Sequence, residues 1–182
     1  MDGKLSGSQS QGSDGTAGSD ARPSDEQLLP PDLIALAQGG ACIILGAREA
    51  DGRPVAGIGL GARIDAACTI RTYLDRKPNE RLLAAITAGS GVAVTFSRAV
   101  DHASFQVKAG KAAIVPADPD DFAEVARQCA VSGHELNELG LPPQVAQAYS
   151  TFDPSDVVTV TFVPEQAFTQ TPGPGAGSPV RK

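Results

Sequence analysis

The sequence predicts a mainly β fold with short helices, an α+β arrangement in which five or six strands close into a small barrel. Three observations carry this reading. Between residues 41 and 115, apolar or alternating runs of strand length succeed one another at short intervals. Turn formers are abundant, with 20 Gly and 14 Pro in 182 residues, as a barrel of short strands requires. The runs at 41–47 and 55–62, and those at 92–96 and 103–115, are joined too tightly for the helical crossover that a parallel sheet needs. Aromatic residues make up only 4% and there is no Trp. Val, Ile, Leu and Ala must therefore fill the core.

Residues 1–26 are mostly Gly, Ser, Asp and Gln, with almost nothing to bury, and predict a disordered tail. A barrel domain is expected over residues 27–166. It begins with a short helix over Asp32–Ala37, favoured by Pro30 and Pro31 and ended by Gly39 and Gly40. The strand Ala41–Ala47 turns at Asp51-Gly52 into the strand Val55–Ala62. Within the latter, Gly57-Ile58-Gly59-Leu60-Gly61 is not a dinucleotide fingerprint, because the spacing is wrong and the motif sits inside a strand. Its glycines permit close backbone approach, to a ligand or at a barrel corner. The strand Cys68–Leu74 places Cys68, Ile70, Thr72 and Leu74 on one face and Thr69, Arg71 and Tyr73 on the other.

Pro78 suits the first turn of a helix over Lys77–Ala88, whose apolar face is Leu82, Leu83 and Ile86. The strand Val92–Phe96 and a long strand from about Ala103 to Val115 follow, with Gly110 as a bulge. Asp118, Asp120 and Asp121 open a second helix at its positive end, with Phe122, Val125, Ala126 and Cys129 on one face. A short helix over Gln144–Tyr149 and a last strand over Val157–Val163 complete the domain. Residues 167–182 form a Pro/Gly-rich C-terminal tail that cannot be a regular helix or a central strand. Gln170–Gly177 lacks the serines and charges of a linker. It is expected to lie ordered across the body of the protein, near a ligand pocket or a partner subunit.

A net charge of -6 argues against wrapping nucleic acid by phosphate neutralisation. No apolar run reaches the ~18 residues of a membrane span, and the N-terminus lacks an apolar signal core. A soluble, cytoplasmic protein is expected. Cys42, Cys68 and Cys129 have no metal-type spacing and read as buried reduced thiols. His102 and His134 are unclustered, so no metal site is expected.

One local feature stands out against the acidic background. Arg71, Thr72, Arg76, Lys77 and Arg81 fall within eleven residues, where the third strand meets its helix. Cations and a hydroxyl at a helix start suit a phosphate dianion. Together with the order of elements over residues 33–116, this resembles the FMN-binding split β-barrel of the pyridoxamine 5′-phosphate oxidase-like superfamily.

The resemblance implies a split β-barrel of the FMN-binding type. FMN would be the cofactor, its phosphate held by Arg71, Thr72, Arg76, Lys77 and Arg81. Ser104 and Gln106 on the long strand would reach the flavin or its ribityl chain. The family's serine-arginine-lysine motif at this helix is not reproduced, and Asn79-Glu80-Arg81 stands there. The resemblance further implies a homodimer with flavin sites between the subunits, and FMN-dependent oxidation or reduction of a small organic molecule. No catalytic residue is assigned, because the flavin itself carries the hydride chemistry. True pyridoxamine 5′-phosphate oxidase activity is not expected, since that enzyme's C-terminal Trp has no counterpart. The alternatives are a deazaflavin or haem in the same fold, or a flavin-binding module without catalysis.

Overall fold

The structure, a computed structural model, describes Met1 and residues 28–180. The tail expected over residues 1–26 therefore lies, Met1 apart, outside the described residues. The elements are α1 (Pro31–Gln38), β1 (Cys42–Arg48), β2 (Pro54–Gly59), β3 (Gly61–Ile64), β4 (Ile70–Asp75), α2 (Glu80–Thr87) and β5 (Val92–Ser97). They continue with β6 (Ser104–Ala109), β7 (Ala113–Pro116), α3 (Phe122–Glu138), α4 (Pro143–Ser150), β8 (Val157–Phe162) and β9 (Gln166–Thr169). The fold is mainly β, with four helices among the described residues and two antiparallel sheets. The first has the order β2-β1-β5-β6-β9 and the second β3-β4-β8-β7.

The inner faces of the sheets meet in one core. Ile43, Phe96 and Phe105 stand in one row across the first sheet, and Leu45, Val94 and Val107 in the next but one. All six are fully buried. Phe96 and Phe105 stack with ring centroids 4.9 Å apart. Ile70, Leu74, Val158, Val160 and Phe162 supply the opposing face. Burial of each such side chain stabilises the fold by roughly 1.5–3 kcal/mol. α1 packs on β3 and β5, and α2 on β1, β2 and β7.

Two expected strands are each divided by a corner. The run 55–62 breaks at Leu60, so that β2 belongs to the first sheet and β3 to the second. The glycines make this corner possible through close approach to the protein itself. A Cβ on Gly57 would lie 2.1 Å from Asn79 Oδ1, and one on Gly59 3.0 Å from Ile43 Cβ. The run 103–115 likewise divides into β6 of the first sheet and β7 of the second, so Gly110 marks a corner rather than a bulge. Its N–H donates to the Glu165 carboxylate at 2.9 Å.

Cys68 leaves the strand face expected for it. It lies in a turn with φ 62°, closed by Asp65, whose Oδ1 accepts from Ala67 N and Thr69 N. The helix expected from Lys77 opens with a 3-10 turn, Lys77–Asn79, before α2. In α3 the buried stripe is Val125, Gln128 and Cys129, while Ala126 is exposed. Gln128 is drawn inward because β3 is a sheet edge with unpaired backbone groups. Its Oε1 accepts from Ala62 N at 2.9 Å and its Nε2 donates to Ala62 O at 2.7 Å.

The other sheet's edge is protected by the C-terminal segment. β9 carries the sheet past residue 166, and the chain then folds back, with Thr169 N donating to Ser178 O and Val180 N to Ala167 O. A bridge joins Phe168 and Pro179, and Val180 packs against the core. No helix among the described residues is long and apolar enough to cross a membrane.

Candidate functional site

The sheets part where the chain passes from β2 to β3, and a cleft of about 370 Å³ opens there. That is within the size range of small-molecule pockets, roughly 300–1,000 Å³. One wall is the β2–β3 corner, Ala56–Leu60. The other is the end of β4 and the following turn, with Asp75, Pro78 and Asn79. Tyr149 of α4 forms part of the roof. A shallower extension shares Asp75, Pro78 and Thr151 and is flanked by Lys77, Asp153 and Asp156.

Asn79 holds the two walls together. It is 4% exposed. Its Oδ1 accepts from Ile58 N at 3.1 Å, and its Nδ2 donates to Asp75 O at 2.8 Å and to Ile58 O at 3.3 Å. A glycine at 57 is required to admit it.

Asp75 is the charged group within the cleft. Among the described residues its Oδ1 is shut off from water and has no hydrogen-bond partner. Burial is the main cause that pushes its pKa up, and the neighbouring charges of Asp156 and Asp153 add to this. The Asp153 backbone N–H and the charge of Lys77 act in the other direction.

The structure distributes the expected phosphate residues over several surfaces. Arg71 lies on the outer face of the second sheet, where its Nη2 meets Asp121 Oδ2 at 2.5 Å. Arg63 Nη1 approaches the other oxygen of Asp121 at 2.8 Å, an ion pair whose angle makes no hydrogen bond. The Tyr73 phenol, buried beside Asp121, is pushed up by burial and by that carboxylate. Thr72 faces the core, fully buried, and its hydroxyl donates to Val160 O at 3.2 Å. Arg81 is held by Glu49, with Nε–Oε1 at 3.1 Å and Nη2–Oε2 at 2.8 Å.

Arg76 and Lys77 are different. Both are exposed at the turn after β4, where Lys77 lines the shallower extension, and among the described residues neither side chain makes an ion pair within 4 Å. Lys77 N donates to Asp156 Oδ2 at 3.0 Å, which leaves its ammonium clear of that bond.

Ser104 and Gln106 stand on the first sheet. Ser104 is buried and its hydroxyl donates to His102 O at 2.8 Å. Gln106 is half-buried on the outer face and donates to Thr95 Oγ1 at 2.9 Å. Asp75, Asn79 and Tyr149 were not among the residues that the sequence singled out. An acid beside the cationic run was visible for Asp75, whereas nothing local marks Tyr149 as reaching a corner some 90 residues earlier.

No protein-family model matches the chain, and no curated protein does. Solved structures do. The chain is similar in fold to pyridoxamine 5′-phosphate oxidase-like and FMN-binding split-barrel structures. A pyridoxamine 5′-phosphate oxidase-related, FMN-binding protein from Nostoc punctiforme is 14% identical, with a TM-score of 0.44, over 76% of this chain and 83% of its own. The haem storage protein HutZ from Vibrio cholerae is 14% identical, TM-score 0.46, over 79% and 95%. An F420 reductase is 17% identical, TM-score 0.47, over 76% and 98%. At these identities and scores the likenesses carry nothing about ligand or activity.

Proposed function

We propose that this chain is an FMN-binding protein, an FMN-dependent oxidoreductase that acts on a small organic molecule as a homodimer. The observation that carries the reading is the cleft at the β2–β3 corner, whose shallower extension is lined by Lys77, with Arg76 next to it in the chain. Its residues fit the cofactor in two parts. Ile58, Leu60, Pro78 and Tyr149 offer apolar surface for a planar ring. Lys77, and Arg76 beside it in the chain, offer positive charge for a phosphate dianion, set against the carboxylates of Asp75, Asp153 and Asp156 at the same extension. Bound there, FMN would supply hydride transfer. The protein's part is to bind the ring, exclude water through Tyr149 and anchor the phosphate.

The homodimer is supported by the outer face of the first sheet, which the described residues leave uncovered. Ile58, Ile44, Thr95, Gln106 and Phe168 form one row across it, without a charge. A second copy placed there would carry its own Gln106 into the interface. The three free cysteines suit a reducing compartment, the cytoplasm. Haem has less support, because His102 and His134 line none of the cavities described, and His134 lies 3.4 Å from Glu138.

The absorbance of the purified protein tests the reading. A band near about 450 nm that stays with the protein on gel filtration is expected for a flavin. A band near about 400 nm would replace the flavin with haem. A colourless protein that also fails to quench added FMN would remove the proposal.

A further inference from the structure

One end of the first sheet's outer face holds a second cavity, which the flavin reading leaves unused. Alternation turns Gly46 and Arg48 of β1, Ala56 of β2, Ala93 of β5 and Lys108 of β6 outward there. Gly46, Ala56 and Ala93 carry little or no side chain, so a groove of about 980 Å³ sinks between the longer residues at its rim. Arg48 and Lys108 flank it from β1 and β6, two strands apart, which is about 10 Å at the spacing of a sheet. Ser90 Oγ accepts from Arg48 N at 2.9 Å and fixes the end of β1. Both cations are exposed, and among the described residues neither makes an ion pair. Lys108 Nζ lies 5.0 Å from the centre of the Phe168 ring, a contact that leaves N–H donors for an acceptor. The carboxylate among the lining residues, Glu165, accepts from Gly110 N at 2.9 Å.

The groove meets the flavin cleft at Ala56, which lines both. It shares no residue with the extension at Lys77, the proposed place of the FMN phosphate. The uncharged row offered to a second copy, through Ile44 and Ile58, has no carboxylate to meet Arg48 and Lys108. We infer that the groove binds the anionic group of the substrate, a small organic molecule that bears a carboxylate or a phosphate monoester. A guanidinium and an ammonium suit both groups. With the anion in the groove, Ala56 sets the uncharged part of the molecule at the entrance to the cleft, beside the ring. That the anion is the substrate rests on the flavin reading of the cleft. That the groove takes an anion rests on its own two cations.

The experiment titrates phenyl phosphate, benzoate and benzyl alcohol by calorimetry into the full-length wild type, the Arg48→Ala/Lys108→Ala pair and the charge-keeping Arg48→Lys/Lys108→Arg pair. Riboflavin affinity is measured on each by fluorescence quenching. The wild type should bind at least one anion roughly 10- to 100-fold more tightly than the alcohol, and by less in high salt. The tighter of the two anions names the group. The alanine pair should lose this preference, the charge-keeping pair should retain most of it, and riboflavin affinity should be the same in all three. Added FMN should leave phenyl phosphate binding unchanged. No preference in the wild type, or one that survives in the alanine pair, would overturn the anion site. So would a loss of riboflavin affinity alongside the preference, which marks general damage. Displacement of phenyl phosphate by FMN would give the groove to the cofactor's own phosphate and overturn the substrate role. If riboflavin binds none of the proteins while the preference holds, the flavin reading falls and the anion site stands.

Discussion

The two sheets close a common core but treat their outer faces in opposite ways. The second sheet is covered by its own chain. The excursion between β7 and β8 lays α3 over it and buries Tyr73, Val125, Cys129 and Val157 in a small second core. At the start of α3, Asp121 is 1% exposed and is met by Arg63 and Arg71. Among the described residues the first sheet has no such cover. Ile44 and Ile58, directly paired across β1 and β2, are each 48% exposed. The charges of its outer face, Arg48 and Lys108, stand toward one end. A covered face can hold charges because each finds a partner within the chain, whereas an open face that leads with paired isoleucines suits a second copy. The cleft lies where these regimes meet, at the corner where the chain crosses between sheets, roofed by the helix that follows α3.

The largest expected effect breaks the open face. Ile44→Asp combined with Ile58→Asp should convert a dimer into a monomer in light scattering at micromolar concentration. An interface of the ~2,000 Å² class cannot bury two unpaired carboxylates. A wild type that is already monomeric would contradict the reading of this face. Next comes the covered face. Asp121→Ala leaves two arginines without their carboxylate and should lower stability by about 2 kcal/mol in urea unfolding. That is less than for a fully buried pair, because water reaches both arginines. Tyr73→Phe, which removes a dry hydroxyl lying beside the Asp121 carboxylate, should cost less than Asp121→Ala in the same unfolding series.

Asp75→Asn tests the seam between the two faces. Asp75 has a folded pKa above its unfolded value, chiefly because of burial. Its contribution to stability is therefore present below the unfolded pKa and is lost as pH rises through the folded one. The variant should melt higher than the wild type at neutral pH, and the gain should disappear in acid. A gain that is the same at both pH values would mean that burial of the charge is not its cause. The smallest effect is expected at Arg81→Ala. Its pair with Glu49 is bidentate, but the arginine side chain is 69% exposed, so the melting temperature should barely change in thermal unfolding.

Periodicity made most strands legible, because each has a dry face that alternation reveals. β1, β5 and β8 lie within a residue or so of their expected bounds. A corner is one of two readings of the glycines at 57–61, and the second corner, at Gly110, reads as a bulge. A strand that leaves one sheet and enters another keeps its alternation, so residues 55–62 and 103–115 read as continuous. The glycines at 57, 59 and 61 signalled close approach, to a ligand or at a corner, and the neighbours they admit, Asn79, Ile43 and Gln128, are set by tertiary packing. The cationic run was visible as a cluster in sequence. Alternation along β4, however, sends Arg71 outward to Asp121 and Thr72 inward to Val160, and α2 carries Arg81 to Glu49. Proximity along the chain did not become convergence in space: Lys77 alone of the run lines the extension of the cleft, with Arg76 exposed next to it in the chain.

The proposal therefore stands or falls on those two cations. FMN and riboflavin should be titrated against the wild type, the Arg76→Ala/Lys77→Ala pair and Arg71→Ala. A charge-assisted contact to phosphate contributes about 1.5–3 kcal/mol, so the paired variant should lose roughly 100-fold or more in FMN affinity. Riboflavin affinity should stay unchanged, and Arg71→Ala should resemble the wild type with both ligands. Equal losses of FMN and riboflavin in the paired variant, or FMN binding that none of these changes touches, would contradict the site proposed here.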